Sequence, residues 1–80
     1  AEDIRAGERA VLTLAYTAQR VYLDVGGTGT LTVTEGGATR TIPVDGPPDI
    51  RTVVDRPASG PGTVTIALSP GLTAYSFTFG

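Results

Sequence analysis

From residue 10 to the C-terminus, apolar and polar residues alternate in short runs cut by glycine and proline. A period of two puts successive side chains on opposite faces of an extended chain, so these runs read as half-buried β-strands. Leu12, Leu14 and Tyr16 share one face of the first run. In the next, Val21, Leu23 and Val25 point one way while Arg20, Tyr22 and Asp24 point the other. Thr30 to Thr34 repeats the pattern with threonines outward, and Ile42 and Val44 are the inward residues of Thr39 to Val44. Only residues 2–9 leave room for a helical turn, and no internal repeat is visible.

The punctuation between the runs is equally specific. Glu35-Gly36-Gly37-Ala38 predicts a tight hairpin between the runs on either side. Pro43 falls on an outward position, which suits an edge strand or a strand end because proline has no N–H for a ladder. Asp45-Gly46-Pro47-Pro48-Asp49 and Arg56-Pro57-Ala58-Ser59-Gly60-Pro61-Gly62 read as loops. The Ile50 to Asp55 run between them is blurred by the Val53-Val54 doublet. Val64, Ile66 and Leu68 then point inward, Ser69-Pro70-Gly71 reads as a type I or II turn, and Tyr75, Phe77 and Phe79 complete the expected core. About seven short strands in an all-β chain predict an antiparallel sandwich or barrel.

Composition removes most chemistries. The chain has 80 residues, enough for one small domain, and contains no Cys, His, Met or Trp. Thiolate nucleophiles, disulfides, an imidazole base and the usual zinc ligands are therefore all absent. No lysine is present for a phosphate-binding P-loop and no asparagine for N-glycosylation. Eight acids outnumber six arginines that are scattered along the chain. A nucleic-acid partner needs a basic stripe, because phosphate neutralisation supplies most of its affinity, so that class is disfavoured. No apolar run approaches the roughly 20 residues of a membrane-spanning helix.

Four features invite a functional reading, each beside a plainer one. Arg20, Tyr22 and Asp24 set an aromatic ring beside hydrogen-bonding charges, as a sheet face that stacks on a sugar would. The plainer reading packs Tyr22 under a loop with both charges solvated, and isolated exposed aromatics are common. Asp45 and Asp49 offer oxygen ligands for calcium, but no third carboxylate accompanies them. Gly26-Gly27-Thr28-Gly29 looks like a phosphate loop, yet a threonine-rich strand rather than a helix follows, so a tight turn fits better. The threonine rows (Thr30, Thr32, Thr34, Thr39 and Thr41) suit an exposed pleated face more simply than a ligand surface. No carboxylate spacing suits acid–base catalysis and no serine sits in a nucleophile elbow, so catalysis is not expected.

Three segments together carry a family resemblance. They are Arg20-Val-Tyr-Leu-Asp-Val-Gly-Gly-Thr-Gly-Thr-Leu-Thr-Val, Val44-Asp-Gly-Pro-Pro-Asp-Ile-Arg-Thr-Val-Val-Asp, and Leu68-Ser-Pro-Gly-Leu-Thr-Ala-Tyr-Ser-Phe-Thr-Phe-Gly80. The chain resembles the C-terminal β-domain of DipZ-type thioredoxin-like proteins, in which a polytopic membrane part and a thioredoxin-like domain precede a domain similar to a carbohydrate-binding module. The resemblance implies a jelly-roll β-sandwich over residues 1–80, forming the C-terminal piece of a longer redox protein. It implies a non-catalytic accessory role outside the cytoplasmic membrane, with no cofactor, beside a thioredoxin-like domain that holds the Cys-x-x-Cys chemistry; the alternatives are an autonomous glycan-binding module and a purely structural cap on that domain. Its expected partners are that domain and a carbohydrate or cell-wall ligand. Two departures stand out: a Trp-containing strand expected just before Glu2 is not seen, and Arg51 replaces a tyrosine. The first suggests a trimmed sandwich whose uncovered edge another strand, including one from a second copy, could complete.

Overall fold

The computed structural model describes residues 4, 5 and 9–80. Among the described residues there are four β-strands, β1 (Ile4–Arg5), β2 (Ala10–Glu35), β3 (Ala38–Leu68) and β4 (Leu72–Phe79). They join in one antiparallel sheet in the order β1-β4-β2-β3. Where about seven short strands were expected, β2 runs unbroken for 26 residues and β3 for 31. Both expected proline loops, residues 45–49 and 56–62, lie within β3. The helical turn expected in residues 2–9 is replaced by strand at Ile4–Arg5, which pair with Ala74 and Thr73. The rest of that expectation, apart from Arg9, lies outside the described residues.

Strands this long exceed the usual 3–10 residues, and irregularities let them bend. Residues 10–18 of β2 pair with 60–68 of β3, residues 20–25 with 49–55, and residues 27–35 with 38–46. At the first bend, Gln19 alone lies opposite residues 56–59. At the second, Gly26 faces Pro47 and Pro48, while the paired Gly27 and Gly46 adopt φ of +105° and +121°. Only glycine enters that region without strain. A Cβ on Gly26 would also lie 2.7 Å from the Pro48 nitrogen.

Other pairings gather the bent sections into two groups. Residues 21–27 pair with 72–79, and β1 lies on the far side of β4. Residues 31–34 pair both with 39–42 and with 65–68. One group therefore runs 4–5, 72–79, 20–27, 49–55; the other runs 10–18, 60–68, 31–34, 38–46. Buried residues from both, among them Leu23, Val25, Val54 and Leu72 from the first and Leu31, Val33, Ile66 and Leu68 from the second, form one apolar cluster. No polar or charged residue is fully buried among the described residues.

The local turns follow the sequence closely. Gly36 and Gly37 both take positive φ, as a two-residue type I′ hairpin requires. Gly71 has φ +100° after Pro70, and the turn is clamped to β2 by Ser69 N–H donating to the Thr30 carbonyl (3.1 Å) and Thr30 N–H donating to Ser69 Oγ (2.8 Å).

The C-terminal aromatics depart from expectation. Tyr75 and Phe79 are exposed, and Phe77 is only partly buried against the core. A β-bulge accounts for Tyr75: Asp24 pairs with Ser76 but Val25 with Ala74, leaving Tyr75 unmatched, whereas Phe77 and Phe79 pair with the buried Leu23 and Val21 and are left open towards the end of the strand. The alternation changes phase there, and Leu72 and Ala74 become the buried residues of β4. A second bulge explains the blurred valines. Val21 pairs with Val54 and Tyr22 with Thr52, so Val53 is the extra residue and both valines are buried.

Candidate functional site

Arg20, Tyr22 and Asp24 lie on the middle section of β2, between residues 49–55 and β4. Directly paired residues share a face, which sets Asp55 beside Arg20, Thr52 and Thr78 beside Tyr22, and Ile50 and Ser76 beside Asp24. Arg20 is exposed, whereas Tyr22 and Asp24 are half-buried. The Arg20 Nε donates to Asp55 Oδ1 at 3.2 Å. Both side chains face water, so the pair contributes about 0–1 kcal/mol. The chain end closes one side of the face: Gly80 exchanges backbone bonds with Arg20 and accepts from Gln19 N–H. A Cβ on Gly80 would lie 3.4 Å from the Tyr22 ring. Ile50, 54 % exposed, adds an apolar surface that the alternation alone did not single out. The face thus combines an aromatic edge, an aliphatic side chain, three hydroxyl-bearing neighbours and charges of both signs.

Asp45 and Asp49 are occupied locally. Asp45 Oδ1 accepts from Thr28 Oγ1 (3.2 Å) and Asp49 Oδ1 from the Ile50 N–H (2.8 Å). Among the described residues, no three acidic side chains gather as a cation site would need. Gly27 and Gly29 belong to the second bend and the strand after it rather than to a loop capping a helix.

A second polar cluster was not singled out from the sequence. Tyr16, buried, donates its hydroxyl to Glu35 Oε2 from 19 residues away. The Arg56 guanidinium lies 5.0 Å from the centre of the Tyr16 ring, within cation–π range. Its Nη2 donates to the carbonyls of Ala18 (2.6 Å) and Gly60, and Nη1 to that of Pro61 (3.2 Å). Burial, reinforced by the bond to Glu35 and its charge, pushes the Tyr16 phenol above its ordinary value despite the opposing Arg56 charge. No local signal marks this cluster, because its members meet only where residues 60–68 pair with both 10–18 and 31–34.

Set against known proteins, residues 1–80 match the model of the thioredoxin-like C-terminal domain family. The chain belongs to that family. It is 47 % identical over 76 residues to protein DipZ of Mycobacterium bovis and to protein DipZ of Mycobacterium tuberculosis. The aligned region is 92 % of this chain but 11 % of each relative, so the chain corresponds to a C-terminal domain of DipZ-type thioredoxin-like proteins. Among solved structures, a family two carbohydrate esterase from Cellvibrio japonicus superposes with a TM-score of 0.77 at 16 % identity, over 89 % of this chain and 24 % of that one. That likeness is one of fold. The chain itself has no cysteine with which to take part in thiol exchange.

Proposed function

We propose that this is a non-catalytic accessory domain with a jelly-roll fold, attached to the thioredoxin-like part of a DipZ-type protein. The order of the bent sections supports the fold. Numbered along the chain, they run 1-8-3-6 in one group and 2-7-4-5 in the other, as two interleaved Greek keys would. The observation that carries the accessory role is family membership over all 80 residues in a chain without cysteine or histidine. Resemblance to the family supports a position outside the cytoplasmic membrane. Arg40 covers backbone carbonyls on the 49–55 edge and Pro43 interrupts the 38–46 edge, which disfavours self-association through those two edges. The test is deletion of this domain from a DipZ-type parent. Disulfide reduction of a small soluble substrate should persist, while association with the cell envelope or a protein partner falls. Loss of thiol exchange in a parent whose thioredoxin-like domain remains folded sinks the proposal.

A second reading, a glycan-binding module, is favoured by the outer face of Arg20, Tyr22 and Asp24 with Ile50 beside it. Stacking on Tyr22 and hydrogen bonds from its flanking charges would hold a sugar there. Glycan-array binding that survives Tyr22→Ala in a folded variant removes that face from consideration.

A further inference from the structure

Each group of bent sections ends in two sheet edges, and three of the four edges are guarded. β1 offers two described residues, one of them Arg5. Residues 38–46 carry Arg40, Pro43 and Asp45, and residues 49–55 carry Asp49, Arg51 and Asp55. Short length, charge and proline are the devices that keep an edge from pairing with another chain. Residues 10–18 have none of them. Ala10-Val-Leu-Thr-Leu-Ala-Tyr-Thr-Ala18 is uncharged, holds no proline or glycine, and pairs in unbroken register with residues 60–68 on one side. Among the described residues, nothing pairs on its other side. Its side chains are only partly covered. Val11 is 58 % exposed, Thr13 and Ala15 are exposed on the same outer face, and Leu12 and Leu14 are half-buried on the inner one.

We propose that this edge pairs with the same edge of a second copy, antiparallel about a two-fold axis at Leu14. The operation joins two four-stranded groups into one continuous sheet, with the same patch used on both sides. This register overlays all nine residues and keeps every side chain on its own face, because each residue meets one an even number of positions away. On the inner face Leu14 meets Leu14 and Leu12 meets Tyr16; on the outer face Thr13 meets Ala15 and Val11 meets Thr17. Just beyond, Arg9 meets Gln19, so the two copies' Arg9 residues stand at opposite ends of the seam. Apolar pairs therefore oppose each other and like charges do not.

The charge pattern favours a second copy at this edge and at no other. The same operation on residues 49–55, centred on Thr52, would set Asp49 opposite Asp55 twice over. On residues 38–46 it would place Pro43, which has no N–H to donate, in the ladder.

The test uses the 80-residue chain, whose lack of cysteine lets an introduced thiol report its own position. Sedimentation velocity between about 10 μM and about 1 mM, which spans micromolar to millimolar affinity, should show single chains giving way to pairs. Thr13→Cys mixed with Ala15→Cys should form a disulfide-linked heterodimer, since directly opposed residues lie about 4.5–5.5 Å apart, within disulfide reach. Either variant alone sets its thiols diagonally, about 7–8 Å apart, and should cross-link about tenfold more slowly. Thr13→Lys/Ala15→Lys puts like charges opposite each other and should weaken pairing about tenfold, whereas Thr13→Lys/Ala15→Glu should stay within about twofold of the parent. Circular dichroism confirms that these exposed-site variants remain folded. A chain that stays single at about 1 mM overturns the proposal. So does a dimer indifferent to the lysine pair, which places the contact on another surface. Hydrogen-exchange protection of every amide in residues 10–18 of a monomeric DipZ-type parent also overturns it, because the preceding part of that protein then covers the edge.

Discussion

Arg56 is the side chain whose removal most directly tests how the bent strands hold together. Between the Arg20–Asp55 and Ala18–Gly60 pairs, residues 56–59 leave the ladder, and the Arg56 guanidinium bridges the gap by donating to three carbonyls. A hydrogen bond to a charged group contributes about 1.5–3 kcal/mol net. Two of these are part-buried and the one to Pro61 is exposed. Stacking on Tyr16 adds about 0.5–1 kcal/mol. The terms share one side chain and do not add fully, so about 2–4 kcal/mol is the expected loss in Arg56→Met. At about 0.05–0.15 kcal/mol per residue, the 80 residues hold about 4–12 kcal/mol in all. The melting temperature should therefore fall by roughly 10–25 °C. Arg56→Lys keeps the charge without the planar fork and should lose about half as much. Urea denaturation followed by circular dichroism measures both, with an unchanged m-value showing that the same surface unfolds. If Arg56→Met melts within about 3 °C of the parent, under about 1 kcal/mol, the gap is closed by something other than this arginine.

Glycine substitutions should separate strain from collision. Gly27→Ala forces a side chain to φ +105° and drives its Cβ into the Gly71 carbonyl, so a loss above about 3 kcal/mol is expected. Gly36→Ala meets nothing within 4 Å and should lose only about 1–2 kcal/mol in the same denaturation assay. Tyr16 carries a pH signature. Its phenol is raised in the folded state, so its contribution is fully present below the unfolded value of about 10 and is lost as pH rises through the folded one. Urea midpoints of the parent should therefore fall more steeply than those of Tyr16→Phe above about pH 10; parallel curves would exclude the effect. Finally, Phe79→Ser should lose under about 1 kcal/mol because the ring is 48 % exposed, against about 2–5 kcal/mol for Leu23→Ala at a fully buried position. Equal losses would mean that Phe79 is core after all.

Features encoded within a few residues were legible. The Gly36-Gly37 hairpin, the Ser69-Pro70-Gly71 turn and the inward sets of residues 21–25 and 64–68 all depend on local φ preferences or strict alternation. What alternation cannot report is its own change of phase. Tyr75 breaks the period of β4 by one residue, and every aromatic assignment across it depends on which side of the bulge is counted. The Val53-Val54 doublet was the one bulge that left a mark in the sequence, since two adjacent apolar residues in an alternating run require an extra position if both are to be buried. The prolines misled for a different reason. Loss of an N–H suggests a break in the ladder, but Pro47 and Pro48 sit opposite Gly26, where the two strands are already out of step, and the chain stays extended through them.

The absence of lysine acquires a physical reason in the same geometry. Strands that bend while staying paired leave carbonyls without a ladder partner at each seam, and a part-buried carbonyl needs a donor. Arg56 supplies donors to three at the first bend, and Arg40 to two where residues 38–40 approach the 52–53 bulge. A guanidinium offers five N–H groups in a rigid plane and can span neighbouring carbonyls while remaining charged, whereas an ammonium is a strongly hydrated point charge on a flexible stem. The scattered arginines that argued against nucleic-acid binding thus serve, at Arg40 and Arg56, as fasteners of a bent sheet. Arg40 closes its seam with a single nitrogen, Nη2, which reaches both carbonyls of the 52–53 bulge.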